Sequence, residues 1–233
     1  MATISTPQPH SFPTTNVPNS AVSVSLADVL ADLGGISAHR LLTVCGLNAS
    51  LEDLAETHRA GKACEFVDGL LVEKAMGFRE SLLAAALVEI LVAFVRLKKL
   101  GFVSGPDGFI RLFPDVIRGP DVAFISWARL PGGKLPEEAY PAIVPDLVIE
   151  VISEGNTRAE MARKRREYFY AGVRLVWMVD PLQRSVAVFT SVHQFTVLHE
   201  ENHLNGGDVL PGLAISLSEL FSIFDSEPPE VHK

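Results

Sequence analysis

Residues 145–153 read Pro145-Asp146-Leu147-Val148-Ile149-Glu150-Val151-Ile152-Ser153, and residues 120–124 read Pro120-Asp121-Val122-Ala123-Phe124. Each stretch opens on a proline and an acid and runs on into β-branched, apolar residues, the composition of a strand inside a sheet. Side chains alternate along a strand, so Glu150 lies between Ile149 and Val151 and shares its face with Val148 and Ile152. An unpaired carboxylate in that setting costs several kcal/mol or is forced to stay protonated. Glu150 therefore needs a partner, and two acids on neighbouring apolar strands are most simply explained by a shared divalent metal. Asp121, at the head of its own strand, is the second acid. Asp146 lies about 13 Å from Glu150 at ~3.3 Å per strand residue, which makes it a strand opener rather than a ligand.

The 233 residues are 48% hydrophobic, with a mean hydropathy of +0.25, enough to bury a sizeable core in a single domain with tails. The net charge of −8 counts against a protein that coats nucleic acid non-specifically, yet leaves room for a nuclease whose contacts form a local patch. Cys45 and Cys64 form no CxxC pair, so the expectation is two buried free thiols in a reducing cytoplasm. No lysine or arginine precedes Arg40, which argues against a secretory leader. The apolar run from Leu82 to Val95 carries Glu89 and is too short to span a bilayer. A cytoplasmic, soluble protein without a membrane partner is expected.

Residues 1–25, rich in Ser, Thr, Pro and Asn, read as a disordered tail. A helical N-terminal extension over 26–60 follows, with a helix near Leu26–Leu33 and another from Ser50, whose capping-box acid is Asp53. The compact domain spans 61–225 and a short tail covers 226–233. Asp68-Gly69 between Glu65-Phe66-Val67 and Leu70-Leu71-Val72 signals a two-residue hairpin. Phe78 to about Lys99 reads as a long amphipathic helix closed by Gly101, and Thr157-Arg158-Ala159-Glu160 caps a second that stops at Gly172. Strands are expected at 102–104, 109–112, 121–125, 147–152, 175–179, 185–190 and 195–198. A last strand and a helix over Leu217–Phe224 follow Pro211-Gly212. The fold class is α/β: one mixed β-sheet flanked by two principal helices.

Two charged residues sit on the wrong helix face. At ~100° per residue, Glu80 falls within about 60° of Leu83, Leu87, Leu91 and Phe94. Met161, Lys164, Tyr168 and Ala171 share a face, which aims a lysine at the sheet. Each has an ordinary explanation, Glu80 as a first-turn acid on the helix dipole and Lys164 as a lysine snorkelling past apolar neighbours. If the second helix packs back over the strand it follows, however, Lys164 approaches Glu150. Carboxylates to hold Mg²⁺ or Mn²⁺ and a lysine to orient the nucleophile are what phosphodiester hydrolysis requires. On this spacing alone, Lys164→Met is expected to spare folding and to remove most turnover.

These residues carry a resemblance. The chain resembles the Uma-two family of restriction-endonuclease-like proteins, within the PD-(D/E)xK nuclease superfamily. The matching segments are Cys64 to Gly69, Gly108 to Leu112, Pro120 to Phe124, Pro145 to Ser153, Lys164 to Gly172, Val176 to Pro181, and Pro211 through Phe221. The resemblance implies a restriction-endonuclease-like core and a metal-dependent endonuclease, a hydrolase acting on nucleic acid, with DNA the expected substrate. It places the superfamily's first acid on Asp121 and its second on Glu150, both as metal ligands and catalytic residues. Glu-x-Lys would require lysine at 152, where this chain has Ile152; the catalytic lysine is then Lys164, displaced to the following helix. Glu80 takes the part of the acid on the first core helix. Because cutting both strands calls for two active sites, a homodimer is left open. The missing lysine at 152 also leaves open a nuclease-fold module that binds or regulates without cleaving.

Other functions find less support. His193, His199 and His203 lack ligand spacing and no G-x-S-x-G elbow occurs, which speaks against a serine or histidine hydrolase. Arg96, Lys98, Lys99, Arg111 and Arg118 offer a substrate path, although Lys98 and Lys99 read better as a solvated helix end that complements the dipole. Arg163, Arg165 and Arg166 line the exposed flanks of the Lys164 helix, as phosphate contacts or as a solvated face.

Overall fold

The computed structural model describes residues 25–42 and 48–225. The expected tails, apart from Ser25, and Cys45 lie outside the described residues. In chain order the strands are β1 (Leu41–Leu42), β2 (Cys64–Val67), β3 (Leu70–Glu73), β4 (Gly101–Ser104), β5 (Ile110–Phe113), β6 (Val116–Arg118) and β7 (Val122–Ser126). They continue as β8 (Leu147–Val151), β9 (Leu175–Asp180), β10 (Ser185–Phe189), β11 (Phe195–Leu198), β12 (His203–Asn205) and β13 (Ala214–Ser216). The helices are α1 (Leu26–Asp32), α2 (Leu51–Arg59), α3 (Phe78–Lys98), α4 (Arg158–Ala171) and α5 (Leu217–Phe221).

A six-stranded mixed sheet in the order β11-β10-β9-β8-β7-β4 forms the centre. Only β8 and β9 in it run parallel; the other pairs are antiparallel. Alternate residues of each strand enter two separate cores. Val122, Ile149, Val151, Trp177 and Val179 meet Leu83, Leu87, Leu91 and Val95 of α3, with the β12–β13 hairpin and α5 closing that side through Leu204, Ile215 and Phe221. Ala123, Val148, Val176 and Met178 meet Met161 and Tyr168 of α4 on the opposite face. Glu150 follows Ile149 and so points to the α4 face, where the alternation of its strand requires it.

The single mixed sheet of the sequence reading is joined by a second one. Among the described residues, five strands pair antiparallel in the order β1-β3-β2-β6-β5. Ile110, Leu112 and Val116 of this sheet enter the α4 core, so α4 is packed between the two sheets. Strands of two to four residues carry almost no periodicity, which is why β1 and β6 escape sequence inspection.

The local signals formed as their chemistry dictates. Thr157 and Glu160 make a reciprocal capping box at the start of α4, and Gly172, at φ 103°, ends it. Asp68 and Gly69 both have positive φ, the type I′ geometry of a two-residue hairpin. The α3 terminus differs from expectation: Lys99 itself adopts the left-handed conformation. Gly101 serves the sheet instead, because a Cβ there would lie 2.0 Å from the Ile125 carbonyl oxygen. Among the described residues no helix is long and apolar enough to cross a membrane.

Candidate active site

The buried face of α4 consists of Glu160, Met161, Lys164, Glu167 and Tyr168, spaced as one helical stripe. Three of the five are charged, which an apolar sheet alone could not tolerate. Lys164 extends its ammonium to 3.3 Å from both carboxylate oxygens of Glu150. It also lies 3.0 Å from Glu65 Oε1, and its side chain is only 4% exposed. Tyr168 donates its hydroxyl to Glu150 Oε1. The strand of one sheet, the helix and a strand of the other sheet thus meet at one ammonium.

Asp121 completes this group from the residue just before β7. Val122 stands opposite Ile149, so continuing that register sets Asp121 across from Glu150 on the same face. Its Oδ2 accepts the Val151 backbone N–H at 2.8 Å, and its Oδ1 is 3.2 Å from the Lys74 ammonium. Lys74 follows β3 and opens on a cleft of about 430 Å³ lined by Arg40, Glu73, Lys74, Glu80, Ser153 and Glu154, among others.

Behind Lys164 the charges continue. Arg118 on β6 reaches Glu65 at 2.7 Å through Nη1 and Glu167 at 2.6 Å through Nη2. Glu65 Oε1 also accepts the Gly119 N–H at 3.2 Å. Arg163 holds the other oxygen of Glu167 at 2.7 Å, and Arg40 grips Glu160 with a two-pronged bond of 2.9 and 2.8 Å. Every buried acid here faces at least one cation, the condition under which charge is retained inside a protein.

The two carboxyls that share Lys164 are nonetheless driven apart. Burial pushes the Glu65 carboxyl up, but the Lys164 and Arg118 cations outweigh it and hold the group at about 2. Burial also pushes Glu150 up; Lys164 opposes this, but the negative charges of Asp121 and Glu65 add to it, and the carboxyl comes to about 7. Lys164, between them, is held well above its usual range: burial lowers it, and Glu150 and Glu65 overcome that. One acid fixed as an anion beside another balanced near neutrality is the pattern by which sites separate structural from proton-handling carboxyls.

The residues singled out from sequence fare differently. Asp121, Glu150 and Lys164 converge. Glu80 stays out of the buried cluster; it is half-buried at the start of α3 and forms part of the cleft wall with Lys74. Asp146 is a strand-end anchor, accepting from Ser126 N and Arg129 at 3.0 Å each. Arg118 is not a substrate contact, being buried and fully engaged by two acids. Arg163 is also drawn inward, by Glu167 and Asp68, and Arg165 stacks over Phe189. Arg96 and Lys99 border a separate cavity with Trp127, beyond the end of β7 opposite to Asp121. His193, His199 and His203 are exposed.

Residues 49–218 match a family model, Uma2, described as "Putative restriction endonuclease". The chain belongs to the Uma2 family. Curated proteins give no match. Among solved structures, the chain is similar to one titled as "a putative nuclease belonging to DUF820" from Anabaena variabilis. The two are 20% identical with a TM-score of 0.65, over 74% of this chain and 97% of that one, which establishes a common fold.

Within the Uma2 match fall Glu65, Lys74, Asp121, Glu150 and Lys164; Arg40 lies outside it. Sequence reasoning missed Glu65, although it bears the same mark as Glu150, a carboxylate between Cys64 and Phe66 in an apolar strand. Lys74 gave no signal, since a lysine after a hairpin strand is ordinarily solvated.

Proposed function

We propose that this Uma2 protein is a divalent-cation-dependent endonuclease that hydrolyses phosphodiester bonds of nucleic acid, with DNA as the substrate and Asp121, Glu150 and Lys164 at its centre. The observation that carries this reading is the setting of Glu150, a mid-strand carboxyl across from Asp121 in the sheet register and 3.3 Å from the Lys164 ammonium. Burial and the neighbouring anions of Asp121 and Glu65 push it above the usual carboxylate range. A fold does not retain such a group for stability, because its ionisation opposes folding.

The donor set suits magnesium or manganese. Among the described residues no group of three or more His, Cys, Asp or Glu side chains is placed to hold a metal. Magnesium, however, is commonly held through one or two carboxylates, keeping water and substrate phosphate as its remaining ligands. Asp121 and Glu150 would be those carboxylates. When bound there, the metal would neutralise phosphate charge and lower the pKa of a water. The chain supplies the rest. Lys164 holds a fixed positive charge against Glu150, and Tyr168 orients that carboxyl through its hydroxyl. Glu80 and Ser153 belong to the cleft through which a phosphodiester would reach them. Cutting both strands would take two such sites, hence a homodimer on DNA.

A second reading, a nuclease-fold module that binds or regulates without cleaving, is favoured by one observation: both Asp121 oxygens are already engaged, by Lys74 and by Val151 N–H. Calorimetry and plasmid nicking separate the two. Mn²⁺ or Mg²⁺ is expected to give a binding heat with wild type that Asp121→Asn loses, together with at least a 10²-fold fall in nicking, roughly the loss seen when one preorganised transition-state contact is removed. Equal heats in both proteins would sink the metal assignment, and a wild type inert toward DNA and RNA across several metals would leave the non-enzymatic reading.

A further inference from the structure

We propose that Lys74 is a resident counter-ion of Asp121 that a divalent cation must displace, and that it thereby sets the metal affinity of the site. This rests on the reading of Asp121 and Glu150 as metal ligands. The Lys74 ammonium is 3.2 Å from Asp121 Oδ1 and 3.2 Å from the Pro106 carbonyl oxygen, and it lies 5.9 Å from the centre of the Phe109 ring. Its side chain is 5% exposed, yet it forms part of the cleft wall. The other Asp121 oxygen accepts the Val151 N–H. A metal therefore reaches this carboxylate at Oδ1, and two cations within a few ångströms of each other repel strongly in a poorly solvated site.

The two lysines of the site are not equivalent. Lys164 is locked by two carboxylates, Glu65 and Glu150, away from the cleft. Lys74 directly contacts one carboxylate and one carbonyl and feels Glu65 and Glu150 only at longer range. It borders the cleft, and its flexible four-carbon stem lets the ammonium swing into it. Lys74 is the ammonium that leaves; Lys164 is the one that stays. Exchanging a single for a double positive charge at Asp121 is thus built into the site, and the apo protein stays neutralised until metal arrives. Lys74 is a positioning residue here, acting through Asp121.

The test is titration of Mn²⁺ into wild type, Lys74→Met and Lys74→Gln by calorimetry. Removing the competitor is expected to tighten Mn²⁺ binding about tenfold, equivalent to about 1.4 kcal/mol of displaced ion pairing. Lys74→Gln, which keeps a hydrogen-bond donor, is expected to tighten it less, and it carries the test should the methionine variant not fold. On wild type, acetylation of lysines followed by peptide mass spectrometry is expected to show Lys74 becoming reactive on addition of Mn²⁺ while Lys164 stays protected. Equal or weaker Mn²⁺ binding in the variants, with wild type binding normally, overturns the role of Lys74 alone. Lys74 labelling that ignores Mn²⁺ does the same. No Mn²⁺ binding in any of the three proteins removes the metal reading itself, and this proposal with it.

Discussion

Replacing Lys164 by methionine is expected to destabilise the fold by about 3–5 kcal/mol, the cost of removing one partner from a buried ion pair. Methionine matches the lysine stem in length and keeps its packing against the strand, so the loss is electrostatic. Without the ammonium, Glu65 retains Arg118 at 2.7 Å, but Glu150 keeps only the Tyr168 hydroxyl and a more distant Lys74. The helix spacing alone predicted that the fold would be spared; Glu65 reverses that expectation, because the lysine serves two buried acids rather than one. Urea unfolding at pH 7.5 measures the loss. At pH 5 the loss should shrink, since a Glu150 deprived of Lys164 takes up a proton more readily. A stability within 1 kcal/mol of wild type at the higher pH would show that Lys164 is not the clamp described here. Adding Glu150→Gln to the methionine variant should restore part of the loss, as expected of partners in one network.

The main sheet, both large helices and the convergence of Asp121, Glu150 and Lys164 were legible because each rests on a long or chemically odd signal. An α4 face with a lysine between Met161 and Tyr168, and a glutamate inside an apolar strand, are anomalies that a sequence displays openly. The second sheet was not legible. Its strands are short, and their pairing brings together residues as distant as Leu41 and Val72, which no local pattern encodes. Everything the second sheet contributes to the site was lost with it. In the sequence Glu65 is only part of a hairpin signal, Arg118 is part of a substrate path, and Lys74 carries no reading at all. Their roles depend on how the second sheet packs over α4. The same packing explains why an apparently simple acid–acid–lysine set becomes a network running from Arg40 to Arg163. A buried lysine placed on a helix, rather than two residues after the glutamate, needs neighbours from another layer to hold it.

Replacing Glu150 by glutamine is expected to stabilise the metal-free protein at pH 8 and to abolish metal-dependent nicking. The sign follows from the proton balance. The Glu150 carboxyl stands at about 7 in the fold and at about 4.3 in an unfolded chain. Between those values the folded protein binds more protons than the unfolded one, so this group lowers stability as pH rises through the window. Below pH 4 it contributes nothing of this kind, and above pH 8 its full cost is present. Glutamine abolishes the ionisation while its amide oxygen still accepts from Tyr168 and Lys164. The stability gap between Glu150→Gln and wild type should therefore widen from a few tenths of a kcal/mol at pH 4, through about 1 kcal/mol at pH 5, to about 3–4 kcal/mol at pH 8. Glu65 does not confuse the comparison, because its carboxyl, held at about 2, gives a contribution that is lost only as pH falls toward that value. Thermal melts in excess chelator across pH 4.5–8.5 read the first half, and plasmid nicking with added Mn²⁺ reads the second. A glutamine variant less stable than wild type at pH 8 would mean that Glu150 is held as a structural anion by Lys164. A variant that still nicks DNA would mean that hydrolysis occurs without this carboxylate. The two halves together distinguish a residue kept for chemistry from one kept for the fold, because only the former is expected to cost stability while it is present.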